Sequence, residues 1–114
     1  CTEVLNLARA DIVREIHRSY YEAGADMVLT NSFGGSPVTL AEFELADRAF
    51  EINKVSVELA REAAEGFADG RHRWVIGDIG PGTKLPSLGN IAYDDLEAAL
   101  VAQCRGLIAG GCDA

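Results

Sequence analysis

Across 114 residues the chain carries a formal net charge of −8, with 48% hydrophobic and 25% charged residues. That is enough apolar material for a core, and the negative balance argues against nucleic acid or an anionic membrane as a main partner, since both select basic faces. No apolar run approaches the roughly 20 residues that span a bilayer, and three scattered cysteines argue against a disulfide framework and for a reducing, cytoplasmic setting.

In chain order, Asp11 to Gly24 predicts the first helix. Asp11 and Glu15 lie in its early turns, where negative charge suits the dipole, and Gly24 is a natural stop. Ile12, Val13, Ile16, Tyr20 and Ala23 recur at helical spacing and are expected to face a sheet. A strand is expected over about 26–31. Its apolar run ends in Thr30-Asn31-Ser32-Phe33 and then in Gly34-Gly35, the pattern of a buried parallel strand that delivers side chains to a site at its C-terminal end.

A long helical stretch follows from Thr39 to Phe67. Thr39 and Glu42 form a capping-box pattern, and a division is expected near Asp47 to Asn53. Asp69-Gly70 makes a turn. The β-branched and aromatic run from Trp74 to Ile79 predicts a second strand over about 73–79, ending in the loop Gly80 to Gly89. Tyr93 to Ile108 reads as the last helix, with an acidic first turn. Helix, strand, helix, strand, helix implies an α/β architecture with parallel strands joined by crossovers. Ala23-Gly24-Ala25-Asp26-Met27 matches Gly110-Gly111-Cys112-Asp113-Ala114 in placing a helix-ending glycine two residues before an aspartate. By that match a third strand starts near residue 114, and the chain reads as one domain fragment, 1–114, truncated at both ends.

In such scaffolds reactive groups collect where strands give way to loops. Two such places are present, Thr30 to Phe33 and Asp78 with the turn Gly80 to Lys84. An amide and hydroxyls at the first could orient a polar substrate, or equally cap the loop and satisfy buried backbone. Asp78 inside an apolar strand is unfavourable unless paired or at a polar site. The Gly77, Gly80, Gly82 spacing reverses the dinucleotide fingerprint, and Gly34-Gly35-Ser36 lacks the Walker lysine. Cys1, Cys104 and Cys112 lack the short gaps of a structural zinc site, and His17 is most simply a helix-surface side chain.

An ordered set of segments then matches something specific. Asn6-Leu7, Asp11 to His17, Glu22 to Asp26, Thr30 to Gly34, Glu51-Ile52-Asn53, Ala60-Arg61-Glu62, Gly80 to Gly89 and Gln103 to Leu107 together resemble the homocysteine S-methyltransferase family. The Gly80 to Gly89 loop is most similar to its cobalamin-dependent, methionine-forming branch rather than to the betaine- or S-methylmethionine-using ones. The resemblance implies the early βα units of a (β/α)₈ TIM barrel, strands at about 26–31 and 73–79 included. It implies homocysteine as substrate, with a zinc ion held by three cysteines that keeps the sulfur a thiolate. It also implies in-line attack on a methyl donor, a methyl-corrinoid recharged from methyltetrahydrofolate in the cobalamin branch. None of the three cysteines here corresponds to the family's zinc ligands, so those lie outside this stretch and the isolated piece is expected to be inactive. Thr30, Asn31, Ser32, Phe33, Asp78 and Gly80 are the residues the resemblance sets near the substrate. Asp78 stands where many relatives have serine. A barrel with aldolase- or isomerase-type chemistry would call for a strand-end lysine or a phosphate cradle, and a free-standing binding module for cooperative unfolding of this chain alone.

Overall fold

The computed structural model describes residues 1–67 and 69–114. A four-residue helix, α1 (Leu5–Ala8), leads directly into α2 (Ala10–Glu22). Arg9 stands at the α2 N-cap without a side-chain cap and instead holds Asp11 in the first turn at 2.8 Å. That hydrogen bond keeps the exposed Asp11 carboxyl down at about 2. Gly24, at φ 101°, supplies the left-handed residue that ends the helix, as expected.

The buried stripe of α2 is Val13, His17 and Tyr21. Of the five residues expected to face the sheet, only Val13 is buried; Ile16 and Tyr20 are 50% and 60% exposed. The helix is rotated about one residue from the phase that apolar residues alone suggest, because Tyr21 rather than Tyr20 fills the core and His17 goes in with it. Ile16 and Tyr20 instead line an open apolar groove with Leu5, Met27 and Leu29.

His17 is therefore not a surface residue. It is 5% exposed, its Nε2 has no partner among the described residues, and burial pushes the imidazole below its ordinary value. The folded state thus binds the proton less well than the unfolded chain, whose histidine titrates near pH 6.5. Stability is expected to be fully present above about pH 6.5 and to fall as the pH drops below it toward the depressed folded value. Urea midpoints at pH 7.5 and 5.5 should show that loss, and His17→Leu should lessen it.

β1 (Met27–Leu29) and β2 (Trp74–Ile76) form a parallel pair, in the register Met27↔Trp74, Val28↔Val75, Leu29↔Ile76. Both are shorter than expected, because Ser32 N–H turns back onto Thr30 O at 2.9 Å and ends the first strand. Cys112 to Ala114 lie beside β2. Asp113 N–H donates to Val75 O, Gly77 N–H donates to Ala114 O, and the Asp113 carboxylate accepts from Val75 N–H at 2.7 Å. Burial opposes the Asp113 charge, yet the Val75 N–H and Arg61, 2.6 Å away, hold its carboxyl below the usual range.

The stretch expected as one long helix is broken. Pro37 takes the first position of α3 (Pro37–Leu40), where its missing N–H is harmless, so the cap is Ser36, whose Oγ accepts from Thr39 N–H. Thr39 is not the cap. Glu42, freed from a capping box, accepts from Thr83 Oγ1. Two 3₁₀ turns follow, Ala41–Phe43 and Ala46–Arg48, separated by Glu44 at φ 59°. The division thus runs through Arg48, into the Asp47 to Asn53 stretch where it was expected, and α4 (Ala49–Glu65) begins after it.

Tyr21, Val28, Val57, Ala60, Ala63, Val75 and Leu107 form the main core, with Phe67 and Cys112 packed on it. It joins α2, α4 and α5 (Tyr93–Gly110) to one face of the sheet through Val28 and Val75. Leu40, Ala49 and Ile52 make a second cluster with Leu7 and Leu45. Met27, Leu29 and Trp74 stand on the opposite face, 57%, 57% and 46% exposed. No helix of the described residues is long and apolar enough to cross a membrane.

Candidate substrate site at two strand tips

The β1–β2 register ends at Leu29↔Ile76, and Asn31 and Asp78 each lie two residues beyond it, past the C-terminal ends of the two strands. Each is half-buried. The two tips singled out in the sequence are therefore brought together, and their surroundings decide what each residue is free to do.

Thr30 and Ser32, both buried, close a hydrogen-bonded ring with the Asp78 backbone. Asp78 N–H donates to Thr30 Oγ1 at 3.0 Å, and Ser32 Oγ donates to Asp78 O at 2.7 Å. Since Ser32 has one proton and spends it there, the 2.6 Å contact between the hydroxyls runs from Thr30 to Ser32. Both hydroxyls are spent on joining the tips. Thr30→Val keeps the shape and breaks the ring, leaving Asp78 N–H without its acceptor. It is expected to cost about 1–3 kcal/mol, read as a lower urea midpoint.

Asn31 donates both amide protons inward, to Thr2 O at 2.9 Å and Asn6 Oδ1 at 3.0 Å, and Asn6 returns a bond to Asn31 O at 2.8 Å. Its own Oδ1 accepts nothing from the described residues. The Asp78 carboxylate likewise has no hydrogen bond or ion pair among them. Phe33 is 58% exposed; its carbonyl accepts from Gly80 N–H at 2.9 Å. Gly80 is buried flush against it, for a Cβ there would lie 2.8 Å from the Phe33 ring. Among the described residues, the tip side-chain atoms named here that are left without a partner are the Asp78 carboxylate and Asn31 Oδ1, and the Phe33 ring of the same loop is exposed.

Behind the tips stands a second set that the sequence reading did not single out as site residues. Glu3, 7% exposed, accepts from Gly34 N–H at 2.8 Å. Asn6, Asn53 and Gln103 are buried and reach the same loop. The signal for Asn53 was its place in the apolar series Ala49, Ile52, Val57, Ala60, where a surface amide does not belong.

Among the described residues no three His, Cys, Asp or Glu side chains are grouped to hold a metal ion. The cysteines are all free, Cys1 exposed and Cys104 and Cys112 half-buried, and they do not fit a three-thiolate site.

The family model described as Homocysteine S-methyltransferase matches residues 1–114. The methionine synthase of Mycobacterium tuberculosis (strain ATCC 25618 / H37Rv) is 42% identical over 116 residues, which cover 100% of this chain and 10% of that protein. That of Mycobacterium leprae (strain TN) is 40% identical over 115 residues, with the same shares. The metallated form of the homocysteine methyltransferase MmuM from Escherichia coli shares the fold, with a TM-score of 0.82 at 24% identity over 96% of this chain and 42% of that one. This chain spans about a tenth of the length of the curated relatives it matches.

Proposed function

We propose, for a chain that belongs to the homocysteine S-methyltransferase family, that residues 1–114 are the early βα units of a TIM barrel within a longer enzyme that methylates homocysteine to methionine. The observation that carries the reading is the pairing of the two tips. Past the C-terminal ends of the parallel pair, the Asp78 carboxylate and Asn31 Oδ1 have no partner among the described residues, and Phe33 of the same loop is exposed. Homocysteine is an amino acid thiol, and its ammonium suits a carboxylate and an amide oxygen as acceptors. In this reading the Asp78 carboxylate and Asn31 Oδ1 receive the ammonium and Phe33 covers the substrate's methylene chain. Thr30, Ser32 and Gly80 hold the tips at their separation.

The described residues do not fit a zinc site, so the zinc of this reading is held by residues outside 1–114. The prediction is direct. The 114-residue chain alone should take up no stoichiometric zinc in equilibrium dialysis, and tight, thiol-dependent uptake would overturn the assignment. Likeness to two methionine synthases favours a methyl-corrinoid donor recharged from methyltetrahydrofolate over betaine or S-methylmethionine. Three free cysteines support a reducing, cytoplasmic setting.

The test is methionine formation by the whole enzyme that carries this chain, offered homocysteine with each donor in turn and read by mass spectrometry. Turnover with methyltetrahydrofolate that depends on added cobalamin is the expected result. Turnover with betaine or S-methylmethionine instead would reassign the donor, and no methionine from any donor would overturn the reading.

A further inference from the structure

Gln103 of α5 and Asn53 of α4 are fully buried, and each donates an amide N–H to the loop that follows β1. Gln103 Nε2 donates to Ser32 O at 2.6 Å. Asn53 Nδ2 donates to Gly35 O and to Ala49 O, both at 2.7 Å. Ser32 O also accepts from Gly35 N–H at 2.8 Å, so the turn Ser32 to Gly35 is closed on itself and held from behind by two helices.

The remaining oxygens, Asn53 Oδ1 and Gln103 Oε1, have no partner among the described residues. Leaving a buried carbonyl unsatisfied is unfavourable, because the group has given up its water without gaining a donor. An apolar residue of similar length would fill either position without that loss, so packing alone does not account for two amides here. Their orientation is dictated by the donors, since rotating either amide would set an oxygen against the Ser32 or Gly35 carbonyl.

Neighbouring glycines are shaped to the same end. A Cβ on Gly35 would collide with Asn53 Oδ1 and lie 2.8 Å from Ser32 O. A Cβ on Gly106, one turn beyond Gln103, would meet Asn53 Cβ and Phe50 O at 2.8 Å. Without it α5 lies close enough to α4 for Gln103 to reach Ser32.

We propose that Gln103 and Asn53 are positioning residues that fix the Ser32–Gly35 turn, and through it Phe33 and the Ser32–Asp78 link, in the geometry that receives homocysteine. The inference deepens the proposed function and rests on it. Gln103 touches no substrate; it acts through the Ser32 carbonyl.

The experiment uses the whole enzyme with Gln103→Met, which keeps length and apolar volume and removes the donor. Without substrate, amide exchange at Gly34 and Gly35 should accelerate about five- to tenfold, the worth of one hydrogen bond. The homocysteine KM should rise by a similar factor, with kcat within about twofold and the thermal midpoint little changed. Gln103→Glu supplies a second arm. Burial raises a carboxyl's pKa, and only the protonated acid can donate to Ser32 O, so its KM should fall toward the parent value as the pH is lowered. Unchanged exchange, an unchanged KM, a joint fall of kcat and midpoint, or a Gln103→Glu KM indifferent to pH would each overturn the proposal. If the unsubstituted enzyme turns over no homocysteine, the functional reading itself fails and this inference with it. Normal turnover with an unmoved KM in Gln103→Met sinks the positioning role alone.

Discussion

Asp78→Ala is expected to raise the homocysteine KM of the whole enzyme about 10–100-fold, with a smaller effect on kcat. The range follows from a hydrogen bond to a charged group, worth about 1.5–3 kcal/mol, at 1.4 kcal/mol per factor of ten. The substitution is clean for a structural reason. The main chain of Asp78, not its side chain, is what Thr30 and Ser32 grip, through the N–H at 3.0 Å and the carbonyl at 2.7 Å. Truncating the side chain therefore leaves both tips joined and removes only the carboxylate. Asp78→Asn keeps the shape and discards the charge, so it should fall between the parent and Asp78→Ala. Steady-state kinetics with varied homocysteine would show this order. A KM unmoved in both variants would remove Asp78 from the substrate contacts and leave Asn31 Oδ1 as the remaining acceptor at the tips.

Tyr21→Ala is expected to destabilise the fold by about 3–5 kcal/mol, the range for deleting a buried aromatic ring. Against a typical domain stability of about 5–15 kcal/mol that is a large share. Tyr21 is 2% exposed and sits where α2, β1, α4 and β2 meet. Its ring meets Phe67 edge-on at 6.1 Å, and the Arg73 guanidinium lies 5.7 Å from the Tyr21 ring and 4.1 Å from that of Phe67. Arg73 is in turn bound by Asp69 at 2.7 Å, a hydrogen bond that holds the exposed Asp69 carboxyl well below the usual range. The phenol also donates to Trp74 O at 3.0 Å, tying α2 to the start of β2. Tyr21→Phe removes that bond alone and should cost about 1 kcal/mol. Guanidinium denaturation of the three proteins would separate ring from hydroxyl.

Much of this architecture was legible because its signals are local. Gly24 and Gly111 end helices at positive φ, the strands are apolar with β-branched residues in β2, and the internal match of residues 23–27 with 110–114 pointed to extended chain near residue 114, which the structure sets beside β2. What was missed depends on tertiary context. Period alone could not tell Tyr20 from Tyr21 as the core aromatic, and counting histidine as polar sent His17 outward. Thr39 and Ser36 are both good caps, and Pro37 decided between them. At the site, the meeting of the two tips could be read from strand-end composition. The spending of the Thr30 and Ser32 hydroxyls on each other and on Asp78 could not, since it depends on a register between distant segments. Gln103 was hidden because an amide on a helix reads as solvent-facing until the loop it serves is seen, whereas Asn53 carried a signal in the apolar series around it.

The parallel register bears on how this segment survives its own synthesis. Ser32 Oγ finds Asp78 O across 46 residues of chain, which at 5–20 residues per second leave the ribosome over roughly 2–9 s. For that interval Met27-Val28-Leu29 is a bare apolar strand still waiting for β2. Asp26 stands immediately before it, and Arg71 and Arg73 before β2, the flanking placement of charge that disfavours mispairing of apolar strands. In the folded chain Arg71 pairs with Asp26, so charges that flank the separate strands also mark their starting ends once they meet.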